Sequence, residues 1–355
     1  MPDTGNRLTV TLQMRKCILA LLALGAIGST GFAQTYTDGE WLYTVYSENG
    51  TDVAKLVGIT ESGVDILNGE IGGFAVPEYL GAYPLKTIGP NAFSALVGQG
   101  NWEAISFTGV TRVEADAFNG VSVKHLQFWS DTLSIEDAAF RSCYALQSIS
   151  AANVTKIGAY AFSEGYSFRG FTDLNTGEQG PIPSTVTSIG AWAFFDCPLP
   201  VEVTIPSGIT SIQGNTFYSS DVNRLIIPDT VTSIAYDAFG GGNITSLLFK
   251  GSPPAGAFSL AGTIYRLSGA SGWSNTFGGV PVQIFLGKAT ATGMSPASGF
   301  QFSWSGSGPF AVNVERATSP GGSWTVVSSN NTNGEFTDLD PPSRRAFYRA
   351  QAAIP

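Results

Sequence analysis

His125 is the only imidazole in this 355-residue chain, and Cys17, Cys143 and Cys197 are its only thiols. Acid–base, nucleophilic and metal chemistry therefore have few side chains to draw on. A Ser-His-acid site needs a hydroxyl, an orienting carboxylate and oxyanion donors around the imidazole. The frame Val123-x-x-Leu126-x-Phe128 instead sets His125 outward on a strand, and its spacing does not supply the three partners together. His and Cys at zinc spacings are absent, as are EF-hand loops and glycine-aspartate calcium repeats. Gly240-Gly241-Gly242 lacks a following Lys-Ser/Thr and reads as a turn rather than a phosphate cradle. A glycosidase would need two carboxyl groups converging across one groove. Here Glu114, Asp116 and Asp137 sit inside a repeated octapeptide, and Asp221 and Asp229 flank strands, so the acids read as solvated turns. The expectation is a protein that is not an enzyme, with no catalytic residue, no cofactor and no metal.

The octapeptide is the dominant signal. TSIGAWAF (187–194), TSIQGNTF (210–217) and TSIAYDAF (232–239) share one frame with KTIGPNAF (86–93), TRVEADAF (111–118), LSIEDAAF (133–140) and TKIGAYAF (155–162). Its Phe recurs at 93, 118, 140, 162, 194, 217 and 239, spaced 22 to 25 residues apart except for 32 between Phe162 and Phe194. A period in the low twenties marks a solenoid of stacked turns, none of which can bury its apolar face alone. Upstream of the octapeptides lie short runs, Val123-x-x-Leu126-x-Phe128, Leu146-x-x-Ile149-x-Ala151, Val222-x-x-Leu225-x-Ile227 and Ile244-x-x-Leu247-x-Phe249. Their last two apolar positions are two apart, the period of a strand with one buried face. Stacking such turns predicts a parallel sheet, with the small Ala of Ala-Phe admitting the backbone and the Phe filling the centre. The ten extra residues before Phe194 place FRGFTDLNTGEQG (168–180) in a loop that bulges from the stack.

VTIPSGITSIQGNTF (203–217) and IIPDTVTSIAYDAF (226–239) resemble the BspA-like leucine-rich repeats of bacterial surface proteins. WLYTVYSENGTDVAKLVGI (41–59) is similar to that family's opening turn, and LFKGSPPAGAF (248–258) with SGWSNTFGGVPVQIF (271–285) to its closing segment. Cys143 and Cys197 fall on the family's A-F-x-x-C position. They lie two turns apart, about 10 Å at the ~4.8 Å spacing of stacked strands, which exceeds the ~7 Å limit between bridged Cα atoms. Two buried free thiols are expected.

The ends of the chain read differently. In MRKCILALLALGAIGSTGFAQ (14–34), Arg15 and Lys16 precede an apolar core and a small-residue end, the order of a secretory signal with cleavage expected after Ala33 and Met14 as initiator. The apolar stretch is too short to span a bilayer, so no integral membrane segment is expected after cleavage. Beyond residue 287, GFQFSW (299–304), FAVNVERA (310–317), WTVVSS (324–329), GEFTDL (334–339) and RAFYRAQA (345–352) alternate at strand period. Trp304-x-Gly306-x-Gly308-Pro309-Phe310, Trp324 and Phe347-Tyr348 are similar to short fibronectin-type-III-like modules, with Trp304, Trp324, Phe347 and Tyr348 as core. The predicted organisation is a leader at 1–33, a BspA-like leucine-rich-repeat solenoid at 34–286 and a small β-sandwich at 287–355, mainly β throughout.

Net charge is −9 with a pI near 4.6 and no basic run, which excludes nucleic acid as a partner because phosphate binding needs clustered cations. Binding is the physical alternative to catalysis, since a solenoid spreads many weak contacts over one rigid face. The outward columns would hold Ala104, His125, Ser148, Glu202, Arg224 and Ser246 in one row and Ser106, Gln127, Ser150, Thr204, Ile226 and Leu248 in the next. Trp129 and Trp102 stand near the edge, either as aromatic anchors or packed under the 93–118 turn. His125, Gln127, Trp129, Glu202, Arg224, Ile226 and Leu248 form the candidate partner-binding face, with Ile226 and Leu248 as an apolar patch. The family resemblance implies an exported protein, secreted or at the cell surface, that adheres to an extracellular protein or host-surface ligand. The alternatives are a structural envelope or matrix component and a carbohydrate-binding or carbohydrate-active protein, which would carry exposed aromatic residues in a row.

Overall fold

The computed structural model describes residues 34–68, 72–267 and 269–285, together with the segments 289–295, 299–304, 312–317, 323–331, 335–338 and 347–352. The expected leader 1–33, with Cys17, and the Trp304 and Phe347 side chains lie outside the described residues.

Each turn contributes a strand to each of two parallel stacks, because its two apolar segments point inward from opposite sides of one core. The octapeptide stack runs through Tyr83–Ile88, Arg112–Val113, Leu133–Ile135, Val154–Ile157 and Ser188–Ile189. Its first rung pairs in parallel with Thr51–Ile59, the last strand of the antiparallel segment Thr35–Asp38, Trp41–Glu48 and Thr51–Ile59. That segment ends the solenoid with hairpin pairing in place of another turn. The helix Glu61–Asn68 follows, its first turn capped by the Thr60 hydroxyl, which accepts from the Gly63 N–H at 3.0 Å.

The octapeptide stack resumes separately as Ser211–Ile212 paired in parallel with Ser233–Ile234, and the upstream runs form a second stack that is likewise split. Gly73–Val76, Trp102–Thr108, Val123–Trp129, Ser148–Ala151 and Gly170–Asp173 make a first run sheet. Gln179–Gly180 closes it by pairing antiparallel to Gly170–Asp173. A second run sheet starts at Glu202–Thr204 and continues through Arg224–Ile227, Ser246–Phe249, Thr263–Leu267 and Val280–Phe285. The bulging loop expected at 168–180 is thus corrected. Its first half is a further rung of the sheet, with Phe168 buried and stacked on Phe162 at 4.2 Å, and its second half turns back on that rung. Asp173 makes the reversal, its Oδ1 accepting from Asn175 N at 2.7 Å while Gly177 takes a positive φ of 74°.

The seven octapeptide Phe side chains are all buried. Six of them stack along the axis, with ring centroids 4.4 Å apart for Phe93–Phe118, 5.3 Å for Phe118–Phe140, 5.4 Å for Phe140–Phe162, 5.7 Å for Phe162–Phe194 and 5.8 Å for Phe194–Phe217. Burying each is worth roughly 1.5–3 kcal/mol. The corner before each Phe is held by the next turn, as where Phe118 N–H donates to Ala139 O and Phe162 N–H to Ala193 O, both at 2.9 Å. This corner requires a left-handed residue just ahead of the Ala or Thr. Asn91, Asp116, Ala138, Tyr160, Trp192 and Asn215 occupy it with φ of 55° to 61°.

The C-terminal strands form two three-stranded antiparallel sheets, Ala289–Ser295/Gly299–Trp304/Glu335–Asp338 and Thr325–Asn331/Val312–Ala317/Phe347–Ala352. Five of the six were expected; Ala289–Ser295 was not, because ATATGMS has no apolar alternation to mark it.

Candidate functional site

The rungs of the first run sheet register Ala104, His125, Ser148 and Gly170 in one outward column and Ser106, Gln127, Ser150 and Thr172 in the next. The alternate residues Ile105, Leu126, Ile149 and Phe171 face the core and are buried. The expected columns hold as far as Ser148 and Ser150; Gly170 and Thr172 follow them in place of Glu202 and Thr204, which start a separate sheet. His125 is placed among polar neighbours from three strands. Its Nδ1 is hydrogen-bonded to Ser148 Oγ at 2.9 Å, and its Nε2 lies 3.9 Å from Glu103 Oε1. Lys124 donates to Glu103 Oε2 at 2.6 Å, and this hydrogen bond holds the Glu103 carboxyl below the usual carboxylate range. Trp129 ends the strand opposite Thr108 and is half-exposed.

The repeat spacing put Ser148 beside His125, but it did not reveal that Glu103, from the preceding turn, also reaches the imidazole. Chemically the group is a hydroxyl, an imidazole and a carboxylate in line. The Ser148 strand is hydrogen-bonded on both sides, to Val123–Trp129 and to Gly170–Asp173, so its backbone N–H groups are spent in the ladder instead of converging on an oxyanion. The arrangement orients the imidazole on a sheet face. Among the described residues no group of three or more His, Cys, Asp or Glu could hold a metal ion.

The second run sheet behaves differently. Glu202, Arg224 and Ser246 share a column, and Arg224 Nε donates to Glu202 Oε2 at 2.9 Å. In the next column Thr204, Ile226, Leu248 and Tyr265 are in register. Ile226 and Leu248 do point outward, yet they are only 2% and 0% exposed. They form a second core with Phe285 and Val314, against which Val327, Phe336 and Tyr348 of the C-terminal sheets pack. The expectation of an apolar patch open to a partner is therefore corrected. Outward apolar residues on adjacent rungs are covered by the chain itself, because leaving each in water forgoes roughly 1.5–3 kcal/mol. Trp102 is also no anchor. It is buried, edge-on to Phe74 at 6.3 Å, and its Nε1 donates to Leu67 O at 3.4 Å.

Cys143 and Cys197 are buried free thiols, as expected. Their Sγ–H groups donate to Phe118 O at 3.0 Å and Phe162 O at 2.9 Å, each on a preceding turn. Burial pushes both thiols from 9.0 up to about 12, which leaves them without nucleophilic thiolate near neutral pH.

Aromatic side chains line the outside of the turns, a feature that the sequence reading missed. Tyr144 stacks on Tyr166 at 5.3 Å and Tyr160 on Trp192 at 6.0 Å, with interplanar angles of 11° and 6°. Tyr144, Tyr160 and Tyr166 of these stacks are exposed on the surface.

A model of the BspA type leucine rich repeat region matches residues 83–175 and 170–253, in six copies. Residues 83–253 are a BspA-type leucine-rich repeat region. Repeats of this family are scaffolds typical of bacterial surface proteins. Among solved structures, a T. pallidum leucine-rich repeat protein is similar at 18% identity and a TM-score of 0.40, over 61% of this chain and 86% of that one. A leucine-rich repeat protein from Eubacterium ventriosum is similar at 19% identity and a TM-score of 0.30, over 62% of this chain and 45% of that one. One from Bacteroides ovatus is similar at 16% identity and a TM-score of 0.31, over 70% and 67%. No curated protein matches the sequence. Among the described residues no helix is long and apolar enough to cross a membrane.

Proposed function

We propose that this BspA-type repeat chain is exported by its N-terminal signal and acts as a non-enzymatic adhesive scaffold, holding an extracellular protein on the outer face of its first run sheet. In this reading residues 34–286 are the scaffold and 287–355 a fibronectin-type-III-like companion. The supporting observation is the contrast between the two run sheets. The second has its apolar outer column covered by the C-terminal strands, whereas His125, Gln127, Ser148 and Ser150 of the first remain part-exposed beside the half-exposed Trp129. A rigid parallel sheet with polar columns and an exposed aromatic suits a protein surface, where a few side chains such as a tryptophan carry most of the affinity and the polar residues around them exclude water. Glu202 and Arg224, at the start of the second sheet, satisfy each other and belong to the rim.

Surface plasmon resonance of the purified chain against extracellular-matrix proteins tests this. The H125A/Q127A/W129A variant should lose at least ~10-fold in affinity, an effect of the size typical for a hot-spot aromatic. Unchanged binding by that variant, or concentration-dependent self-association with no foreign protein bound, overturns the proposal and favours a structural envelope role.

A further inference from the structure

The long interval between Phe162 and Phe194 closes the first run sheet with a returning strand. Gly170–Asp173 is the last rung of the first run sheet, and Gln179–Gly180 folds back across it. At Gly170, with φ of 134°, an added Cβ would stand 2.3 Å from Gly180 O, so only glycine lets the returning strand lie this close. Pro181 and Pro200, which have no N–H to offer a ladder, flank the gap before the second run sheet begins. The result is a cleft of about 400 Å³ at the end of the sheet.

Its lining is chemically selective. No carboxylate lines it, although the chain carries a net charge of −9. Its one fixed charge is Arg169, an exposed side chain with no ion-pair partner among the described residues. Lys55, Lys124, Arg141, Lys156 and Arg224 by contrast each have a carboxylate partner. A single guanidinium matches a single carboxylate in charge and in two-pronged geometry, whereas a phosphate dianion would call for more cations. Around it Gln147, Ser148, Thr172 and Gln179 offer amides and hydroxyls, and His125, already bonded to Ser148, closes one side. Phe171 and the two prolines supply an apolar wall. Uncharged hydrogen-bonding groups beside an apolar wall suit a ligand with ring hydroxyls and a C–H face.

We propose that this cleft binds a carboxylated saccharide unit of the uronic acid class, its carboxylate on Arg169 and its hydroxyls on the Gln147, Ser148, Thr172 and Gln179 side chains. The cleft shares His125 and Ser148 with the proposed protein-binding face, but Arg169, Thr172 and Gln179 belong to it alone, so the Arg169→Gln and Gln179→Ala variants test it independently of that reading.

Calorimetric titration of the purified chain with a glucuronate-containing oligosaccharide, its neutral glucose counterpart and an N-acetylated dipeptide with a free carboxylate tests the assignment. Saturable binding of the uronate is expected, with the neutral sugar and the Arg169→Gln variant each weaker by ~10-fold or more, as for loss of a charge-assisted hydrogen bond. Arg169 is exposed, so the variant should keep the parent melting temperature, and a Gln179→Ala variant should weaken the uronate and the neutral sugar alike. Absence of uronate saturation, equal affinity for the neutral sugar, tighter binding of the peptide carboxylate, or an unaffected Arg169→Gln variant each overturns it.

Discussion

The two run sheets are built on one plan and meet different fates. Both are parallel, both stack at one rung per turn, and both bury the same alternate positions, Leu126 and Ile149 in the first and Leu225 and Leu247 in the second. They differ in the outward column. It reads Ser106, Gln127, Ser150, Thr172 before the break and Thr204, Ile226, Leu248, Tyr265 after it. Two aliphatic rungs suffice to recruit the chain's own C-terminal sheets, while hydroxyls and amides leave the first face to solvent and to other molecules. The difference teaches that the scaffold's interior fixes the fold and its exterior alternation decides what packs against it.

The largest expected effect comes from the column that joins the two halves. Phe162 touches Phe140, Phe168 and Phe194, and the Phe194 stack continues past the break in the sheet. Phe162→Ala should cost about 3–5 kcal/mol in a urea-unfolding experiment. A cost under about 1 kcal/mol would show that the halves are held together by something other than this stack.

Leu248→Ala acts on the second sheet alone. It should remove about 2–5 kcal/mol of packing, seen as earlier proteolytic release of the C-terminal strands and as new binding of a hydrophobic dye. Ligand binding on the first sheet should persist, and its loss would break the proposed division of labour.

The thiols sharpen the comparison through pH. Cys143 lies in the turn beneath the first sheet, and Cys197 at the break, and burial raises both to about 12. A raised folded value means that the protonated form is favoured by folding, so this stabilisation is complete below pH 9 and is lost as pH climbs from about 9 toward 12. The urea midpoint should fall across that window, and a C143A/C197A variant should flatten the fall. In the native protein both thiols should be silent to a thiol reagent near neutral pH.

The smallest effect concerns the left-handed corner. Ala138 holds φ of 55°, a conformation that costs a residue with a Cβ roughly 1–2 kcal/mol, while glycine gives back about 0.4–1 kcal/mol through the unfolded chain. Ala138→Gly should stabilise by about 0.5–1 kcal/mol, read as a small rise in melting temperature. A fall would mean that the inter-turn hydrogen bonds, such as Ala138 N–H to Ala159 O at 2.7 Å, impose the corner without strain.

Much of the fold was written in the linear order. Phe every 22 to 25 residues and apolar pairs two apart gave the turns, both faces of each run strand and the buried thiols, because a repeat solenoid forms contacts between equivalent positions of neighbouring turns. The pairing His125 with Ser148 and Gln127 with Ser150 follows from that arithmetic alone. Three matters did not. Ile226 and Leu248 read as an open patch because alternation shows which side a residue faces and not what lies beyond it; Val314, far along the chain, decides that. The ten extra residues before Phe194 read as a loop because GFTD has only one apolar residue, yet the preceding sheet edge offered a ladder that drew Gly170–Asp173 into register. The corner residues Tyr160 and Trp192 gave no sign of positive φ, since aromatic residues rarely adopt it. The sequence by itself determined the period, the interior and the hidden chemistry of the cysteines, all local or nearest-neighbour properties. Tertiary structure alone decided which half of the outer face stays open, that Glu103 stands beside His125, and that Arg169 lines a cleft with no ion-pair partner among the described residues, because each depends on segments that meet only after the turns have stacked.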